Sequence, residues 1–596
     1  MSDVLRTPSS ADGPSKLTSV ASGTDATTPT RPVVNPRPRT GWRAFAAGII
    51  TAIMLVVTLG VAAFAQTGKA ADGPTFLSPG AFLYAELRLD LPGDQREQLM
   101  SFLGHLPGFA DPSAFDTKLD ETLDQMLGGP GSPISWTQDV KPWFGGQIML
   151  GVSSVPPMDP SGTMTTQTAP VVIAIGSTDR TALDASLAKL VSGPNMASVT
   201  SEDYAGTTIW SSDSGSSITA LAPTDGLLLL SNDITELKAS LDLLAAGGPS
   251  LADDATYQAA IATLPADRVG AFYVDSAQLK DALLPLAEQS LQAQPSMGIS
   301  SDQLKAGLAL LPPTITGYIR VDADHLTFRL DAPVAEGSAL SVRSTDIASK
   351  MPADTIVYLE TRDLGGGLKT ILSQLKSLLA AQGNDQALAQ IEALLGTGLD
   401  SYLDWVQDVG IGASLSAAGP SVGLVATVSD EATGQQRIDS LLMLIRAISA
   451  TADPSPVDIT TEDVNGTKVT TISLTDASGM TARLPVEARI SIALGDGHLY
   501  LGLGDFAKEA LSRDPADSLA SAAGYTKAAA AAGDNAGLVY VDVASTLSFA
   551  ELMMSSDQRT MFESQIKPYA DALDFIVASI NQDASSSSAS MMLFVK

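Results

Sequence analysis

The chain has 596 residues, 45% of them apolar and 17% charged, with a formal net charge of −31 and no cysteine. This length exceeds what one hydrophobic core supports, so several domains are expected. The absence of cysteine excludes disulfides, thiolate metal sites and cysteine nucleophiles.

The charge is unevenly distributed along the chain. Residues 1–43 hold six of the 35 basic and three of the 66 acidic residues, which leaves 44–596 with a formal charge of −34. An acidic surface of this kind repels phosphate backbones, so nucleic-acid binding is not expected.

The N-terminal segment 1–43 is rich in Ser, Thr, Pro and Gly and has no apolar periodicity. It is predicted to be a disordered tail because it cannot bury enough apolar surface to offset the entropy of ordering. Its end, "NPRPRTGWR", forms a basic and aromatic flank to the next segment, made of Arg37, Arg39, Trp42 and Arg43.

Residues 44–65 read "AFAAGIITAIMLVVTLGVAAFA", without a charge. As a helix this stretch would be about 33 Å long, enough to cross a bilayer. The preceding arginines predict a cytoplasmic N-terminus and an extracytoplasmic remainder, at the bacterial cytoplasmic membrane. A cleaved signal peptide is the alternative, since Ala63-Phe64-Ala65 has the form of an A-x-A cleavage site.

Five sequence pairs repeat in the same order after a linker predicted at 66–75. They are "FLYAELR" (82–88) and "IVYLETR" (356–362), "SWTQDV" and "DWVQDV", "TSEDYAGTTI" and "TTEDVNGTKV", "ATYQAAIATLP" and "AGYTKAAAAAG", and "RVGAFYVD" (268–275) and "NAGLVYVD" (535–542). Ordered matches predict a tandem duplication, with repeat 1 at 76–335, a linker at 336–347 and repeat 2 at 348–596.

Each repeat mixes helices with short strands joined by tight turns. In repeat 1 strands are predicted near 82–89, 145–155, 169–177, 204–211, 217–222, 226–231 and 269–275, with a hairpin at 316–333. Helices are predicted near 94–104, 114–127, 178–191, 233–246 and 254–263. This alternation favours an α+β class with mainly antiparallel pairing.

The paired "YAELR"/"YLETR", "WTQDV"/"WVQDV" and "FYVD"/"VYVD" elements in an exported chain resemble an uncharacterised family of exported bacterial proteins, domain of unknown function 3352. The resemblance covers roughly residues 76–596. It implies no catalytic residue, because the family has no assigned chemistry.

Several motifs typical of enzymes are better explained by the fold. "GPSVG" (419–423) matches the nucleophile elbow around Ser421, but it lies between two apolar strands with no helix after it, and a hairpin turn is expected. "GLGDFA" (502–507) matches a dinucleotide fingerprint, yet its counterpart "LLSNDI" has no glycine.

Metal and cofactor sites are not expected. The three histidines, His105, His325 and His498, are far apart in sequence and fit no zinc motif. "DADHLTFRLD" (322–331) lacks the glycine and closing Glu of a calcium loop, and the chain has no P-loop motif.

One polar pattern occurs in both repeats, as Tyr-x-Glu-x-Arg. Alternate residues of a strand share one face, so each pattern forms a row, made of Tyr84, Glu86 and Arg88 or of Tyr358, Glu360 and Arg362. These rows are interpreted either as solvated strand faces with a Glu–Arg pair or as strips lining a ligand or partner groove. In both interpretations Leu83, Ala85 and Leu87 face the core.

Three functions remain open. The first is a single-pass, membrane-anchored cell-envelope protein that is not an enzyme and binds a lipid, an envelope polymer or a partner protein. The second is a purely structural scaffold. The third is a hydrolase that uses two carboxylates as acid and base.

Overall fold

A computed structural model describes residues 73–109, 134–155, 169–192, 199–212, 218–293, 311–334, 339–365, 404–416, 419–449, 457–474, 489–552 and 554–596, with a few single positions between them. All of these residues belong to one compact unit. The predicted span 44–65, its flank and the predicted tail lie outside the described residues. Within the described part, no helix has the length and apolar character needed to cross a membrane.

Among the described residues, twenty strands form one sheet in which every pairing is antiparallel. The first ten are β1 (Leu83–Arg88), β2 (Phe144–Val152), β3 (Val171–Ser177), β4 (Val199–Tyr204), β5 (Thr207–Ser212), β6 (Ala220–Pro223), β7 (Leu227–Ser231), β8 (Gly270–Asp275), β9 (Thr314–Val321) and β10 (His325–Pro333). The second ten are β11 (Thr355–Thr361), β12 (Val406–Ser416), β13 (Gly419–Val428), β14 (Val457–Val464), β15 (Thr467–Leu474), β16 (Arg489–Gly495), β17 (His498–Leu503), β18 (Gly537–Asp542), β19 (Leu573–Gln582) and β20 (Ser586–Val595).

Helices connect and cover these strands. They are α1 (Gln95–Gly104), α2 (Arg180–Val191), α3 (Ile234–Ala246), α4 (Ala255–Ile261), α5 (Ser276–Ala293), α6 (Glu431–Ser449), α7 (Phe506–Leu511), α8 (Ala523–Ala532), α9 (Val543–Leu552), α10 (Ser556–Gln565) and α11 (Lys567–Ala570). Asp side chains cap the N-termini of α2, α3 and α4, where they accept hydrogen bonds from backbone N–H groups of the first turn. The α+β class with an antiparallel sheet is therefore confirmed.

The two halves of the sheet have the same strand order. From one edge, the first half runs β4-β5-β6-β7-β3-β2-β1-β8-β9-β10, and the second half runs β14-β15-β16-β17-β13-β12-β11-β18-β19-β20. Each strand of the first half thus has its counterpart ten strands later. This is the arrangement expected of the predicted tandem duplication.

The halves join where β10 pairs with its own counterpart β20. Arg329 lies opposite Ser590 in this ladder. On its other side Arg329 lies opposite Tyr318 of β9, and Ser590 lies opposite Ser579 of β19, which is the residue equivalent to Tyr318. Equivalent positions therefore meet at the centre of the junction, which gives a local pseudo-twofold axis. At one end, Lys527 forms an ion pair with Asp324 at 2.9 Å.

One predicted strand needs correction. The sequence predicts a single strand near 204–211, but the chain forms a hairpin in which β4 ends at Tyr204 and β5 begins at Thr207. Ala205 and Gly206 make the turn with positive φ angles of 45° and 81°. The strand β4 was missed because its exposed, polar sequence "VTSEDY" has no apolar alternation.

The two glycine motifs are explained by packing around Phe506, at the start of α7. A Cβ atom on Gly423 would lie 2.1 Å from the Phe506 ring, and one on Gly502 would lie 2.6 Å from it. Gly423 and Gly502 are paired neighbours on β13 and β17. Ser421 lies inside β13, opposite Ser414, rather than in the expected turn. These glycines therefore make room for a core phenylalanine.

We expect Gly423→Ala to destabilise the protein by about 1–3 kcal/mol, because the added methyl group overpacks the Phe506 site. Denaturant unfolding would measure this loss. Gly226→Ala is the matched control, since a Cβ there meets nothing within 4 Å. Equal unfolding midpoints for the two variants would contradict the packing explanation.

Candidate functional site

Each repeat contains a buried trio of tyrosines. In repeat 1 the Tyr257 ring lies edge-on to Tyr84 and Tyr273, with ring centroids 5.7 and 5.3 Å away. In repeat 2 Tyr525 makes the same contacts with Tyr358 and Tyr540, at 5.6 and 5.5 Å. Edge-to-face packing of this kind is a favourable arrangement of aromatic quadrupoles.

The trios belong to the two main core clusters, on one face of the sheet. The helices α4 and α8 supply the central tyrosines Tyr257 and Tyr525. Strands β1 and β11 supply Tyr84 and Tyr358, both of which are 0% exposed. The Tyr-x-Glu-x-Arg rows therefore begin inside the core.

In repeat 1 the polar side chains of the row are bonded to one another and to their neighbours. The Tyr84 hydroxyl donates to Glu86 Oε2 at 3.0 Å, and Arg268 forms an ion pair with Glu86 at 2.9 Å. Arg88 forms an ion pair with Asp90, with Nη2 and Oδ2 2.9 Å apart. Glu86 and Arg88 thus have different charged partners.

In repeat 2 the glutamate and arginine pair with each other. Glu360 and Arg362 are 3.0 Å apart, and both side chains are 3% exposed. The Thr345 hydroxyl donates to Glu360, and Arg362 Nε donates to the Arg343 carbonyl at 2.9 Å. Residues of the predicted linker therefore pack over the second row.

This exchange of partners follows from two sequence differences. The backbone N–H of Arg88 donates to Val269, and that of Arg362 donates to Ala536, which makes Asn535 the counterpart of Arg268. Two residues beyond Arg362 the chain has Leu364, where repeat 1 has Asp90. Arg362 has lost its acidic partner and Glu360 its basic one, so the two pair together.

Burial raises the pKa of the tyrosine hydroxyls. The pKa of Tyr84 and of Tyr358 is well above the ordinary value of 10.0, first because of burial and second because of the adjacent Glu86 or Glu360 carboxylate. Burial also raises the pKa of Tyr273 to about 12. These hydroxyls stay protonated near neutral pH and cannot act there as bases.

Both repeats also keep a buried aspartate outside the Tyr-x-Glu-x-Arg rows. Asp139 and Asp408, from "WTQDV" and "WVQDV", are 6% and 4% exposed. Asp139 pairs with Lys189, and Asp408 pairs with Arg343 of the predicted linker. Asp408 also accepts the backbone N–H of Asp363 at 3.0 Å, which ties the end of β11 to the start of β12.

The expectation that Leu83, Ala85 and Leu87 face the core is wrong. The tyrosine side of each row faces the core, whereas these three residues are partly exposed, and Leu359, the counterpart of Ala85, is 44% exposed. Six strands separate β1 from β11, so the two rows lie in different parts of the sheet. Binding of a ligand or partner by either row stays a prediction.

Sequence reasoning missed the partners that complete each trio, Tyr257 with Tyr273 and Tyr525 with Tyr540. All four stand in the repeated segments, "ATYQ" with "AGYT" and "FYVD" with "VYVD". A search for every polar residue that both repeats keep would have found them, along with Asp139. Over the described residues, no group of three or more potential ligands is placed to hold a metal ion.

A family model described as "Protein of unknown function (DUF3352)" matches residues 46–595, so this chain belongs to that family. No curated protein matches the chain. Among solved structures it is similar to crystal form I of TP0453, at 8% identity over 45% of this chain and 81% of that chain, with a TM-score of 0.23. Crystal form III of TP0453 gives 8% identity over 46% and 90%, with a TM-score of 0.24. TM-scores this low do not establish a shared fold.

We expect Arg362→Ala to cost about 3–5 kcal/mol, because it leaves Glu360 buried without its charged partner. Arg180→Ala is the control: its two acidic partners, Asp184 and Asp225, are both exposed, and surface pairs of this kind contribute only about 0–1 kcal/mol. Thermal or denaturant unfolding would measure both. A loss at Arg362 no larger than that at Arg180 would contradict the buried-pair assignment.

We also expect stability to fall as pH rises above 10. In the unfolded chain tyrosines lose their protons near pH 10, whereas the folded chain holds the pKa of Tyr273 and Tyr500 at about 12. Their contribution is thus fully present below pH 10 and is lost as pH rises towards 12. Absorbance at 295 nm and circular dichroism should change together. Ionisation of all 11 tyrosines near pH 10 with an intact fold would contradict this.

Proposed function

We propose that this member of the DUF3352 family is a non-enzymatic protein of the bacterial cell envelope that works by binding. In this proposal the helix Ala44–Ala65 anchors the chain in the cytoplasmic membrane, with Arg37, Arg39, Trp42 and Arg43 at its cytoplasmic end. Residues 66–596 then lie outside the membrane.

One observation carries the non-enzymatic part of this proposal. The polar side chains that both repeats keep are engaged inside the protein, since Glu86 pairs with Arg268 and Glu360 pairs with Arg362. Asp139 and Asp408 are likewise buried and paired. These ion pairs account for the repeated carboxylates as structural groups, which favours a non-enzymatic role.

The arrangement of the repeated glutamates also argues against a two-carboxylate hydrolase. Such enzymes hold two carboxyl groups about 5–9.5 Å apart on either side of one bond. Glu86 lies on β1 and Glu360 on β11, with six strands between them. At about 4.8 Å per strand, the two are roughly 34 Å apart along the sheet.

A purely structural scaffold is the second candidate. It is favoured by the continuous ladder between β10 and β20, which makes one sheet from two repeats and leaves no hinge there among the described strands. The two candidates differ in whether the protein carries a ligand: a binding protein requires one, whereas a scaffold does not.

The anchoring and the orientation can be tested on intact spheroplasts that produce the chain with a tag at each end. Added protease should remove the C-terminal tag and leave the N-terminal tag protected, because only residues after 65 are outside. Lysed spheroplasts, in which both tags become accessible, are the control. A soluble product that begins at Gln66 would show a cleaved signal peptide instead.

A further inference from the structure

The face of the sheet opposite the tyrosines carries a continuous apolar row. Directly paired residues on neighbouring strands share a face, and the pairing across β20, β19, β18, β11, β12 and β13 connects Met591, Ala578, Val539, Leu359, Ile411 and Leu424. With strands about 4.8 Å apart, this row is roughly 24 Å long. We call it the repeat 2 apolar row.

Exposure concentrates on this face. The described strands carry six large apolar side chains that are 41–49% exposed, namely Leu359, Ile411, Val422, Ile490, Ile580 and Met591. The register places Val422 beside Ala413, two residues from Ile411 on the same face. Ile490 lies opposite Leu503, which shares a face of β17 with Leu501. Leu501 in turn lies opposite Leu424 of the apolar row. All six therefore point to the side of the apolar row.

Repeat 1 exposes the equivalent positions less than repeat 2 does. The pairing makes Leu150 the counterpart of Ile411, and Ile319 the counterpart of Ile580. Both repeat 1 residues are only partly exposed, and the counterpart of Leu359 is the small Ala85. The fold therefore does not require large exposed apolar residues there, and an extended exposed apolar surface is typical of a binding site.

The short segment before Gly73 and the negative charge of the chain both restrict what can bind the repeat 2 apolar row. Seven residues, 66–72, separate the predicted span from the first described residue, Gly73, and they reach at most about 25 Å. The described unit would therefore lie at the bilayer surface. Residues 44–596 carry a formal charge of −34, which repels anionic lipid headgroups. An attraction between this surface and a lipid would therefore come from the acyl chains.

We propose that the repeat 2 apolar row binds the acyl chain of a lipid taken from the adjacent membrane. This inference rests on the proposed anchoring and names the ligand for it. A row of about 24 Å exceeds the roughly 15 Å thickness of one leaflet of the hydrocarbon core, so an acyl chain can lie along it. Because burial of apolar surface supplies the attraction, binding should not weaken as salt is raised.

Site-specific photocrosslinking in native membranes tests this directly. The full-length chain would carry p-benzoylphenylalanine in place of Val422, and after irradiation its peptides would be weighed by mass spectrometry. We expect adducts with the mass of a membrane phospholipid. The same probe in place of Thr460, an exposed residue on the opposite face, should give at least tenfold fewer.

A second variant asks whether the row itself holds the lipid. Leu359→Asp combined with Ile411→Lys should reduce the lipid adduct at position 422 at least tenfold while largely preserving the melting temperature, because opposite charges on directly paired strand residues attract each other and both side chains are more than 40% exposed. Thr460→Asp, on the other face, should leave the adduct unchanged.

Four outcomes would overturn the inference: a crosslink to another segment of this chain, a crosslink to a second copy, a crosslink to a different protein, or no adduct. The first three identify another occupant of the apolar row. Protease accessibility in spheroplasts reports the anchor separately, so a protected N-terminus without a lipid adduct would reject this inference alone.

Discussion

The ladder between β10 and β20 is the interaction on which the whole sheet depends. It pairs equivalent strands of the two repeats, and Arg329 lies opposite its counterpart Ser590 at the centre. Isologous dimers bring equivalent surfaces together in the same way, here within one chain. Because β10 and β20 form the junction, the opposite edge strands of the two repeats, β4 and β14, become the edges of the complete sheet.

Those two outer edges are equivalent as well, and both are acidic. Glu202 in β4 forms an ion pair with Lys238 of helix α3. In the same way, Glu462 in β14 forms an ion pair with Lys508 of helix α7. Each edge strand is therefore linked to a helix of its own repeat. Charged residues on an edge strand oppose pairing with another chain. The duplication thus buries one edge of each repeat and leaves the charged one outside.

The buried rows show how two copies of one motif separate. Replacing Arg268 and Asp90 by Asn535 and Leu364 removes one charge of each sign, and the remaining Glu360 and Arg362 form their own pair. Neither copy is left with a buried, unpaired charge, which would cost several kcal/mol, about 3–5 by analogy with broken buried pairs. The constraint shared by the two repeats is therefore charge balance around the tyrosines, which stabilises the folded state.

The sequence alone determined the α+β class, the antiparallel pairing and the family, because local patterns and repeated segments encode them. It also showed which polar residues occur twice, including Tyr84 with Tyr358. It did not determine which side of a strand is buried: alternation assigned Leu83 and Leu87 to the core, whereas helices α4 and α8 bury the tyrosine side. That choice depends on contacts more than 100 residues apart, such as Tyr84 with Tyr257. The repeat 2 apolar row likewise emerges only from strand register, since its six residues come from two runs of strands, β11–β13 and β18–β20, that are far apart in the chain and meet where β11 pairs with β18.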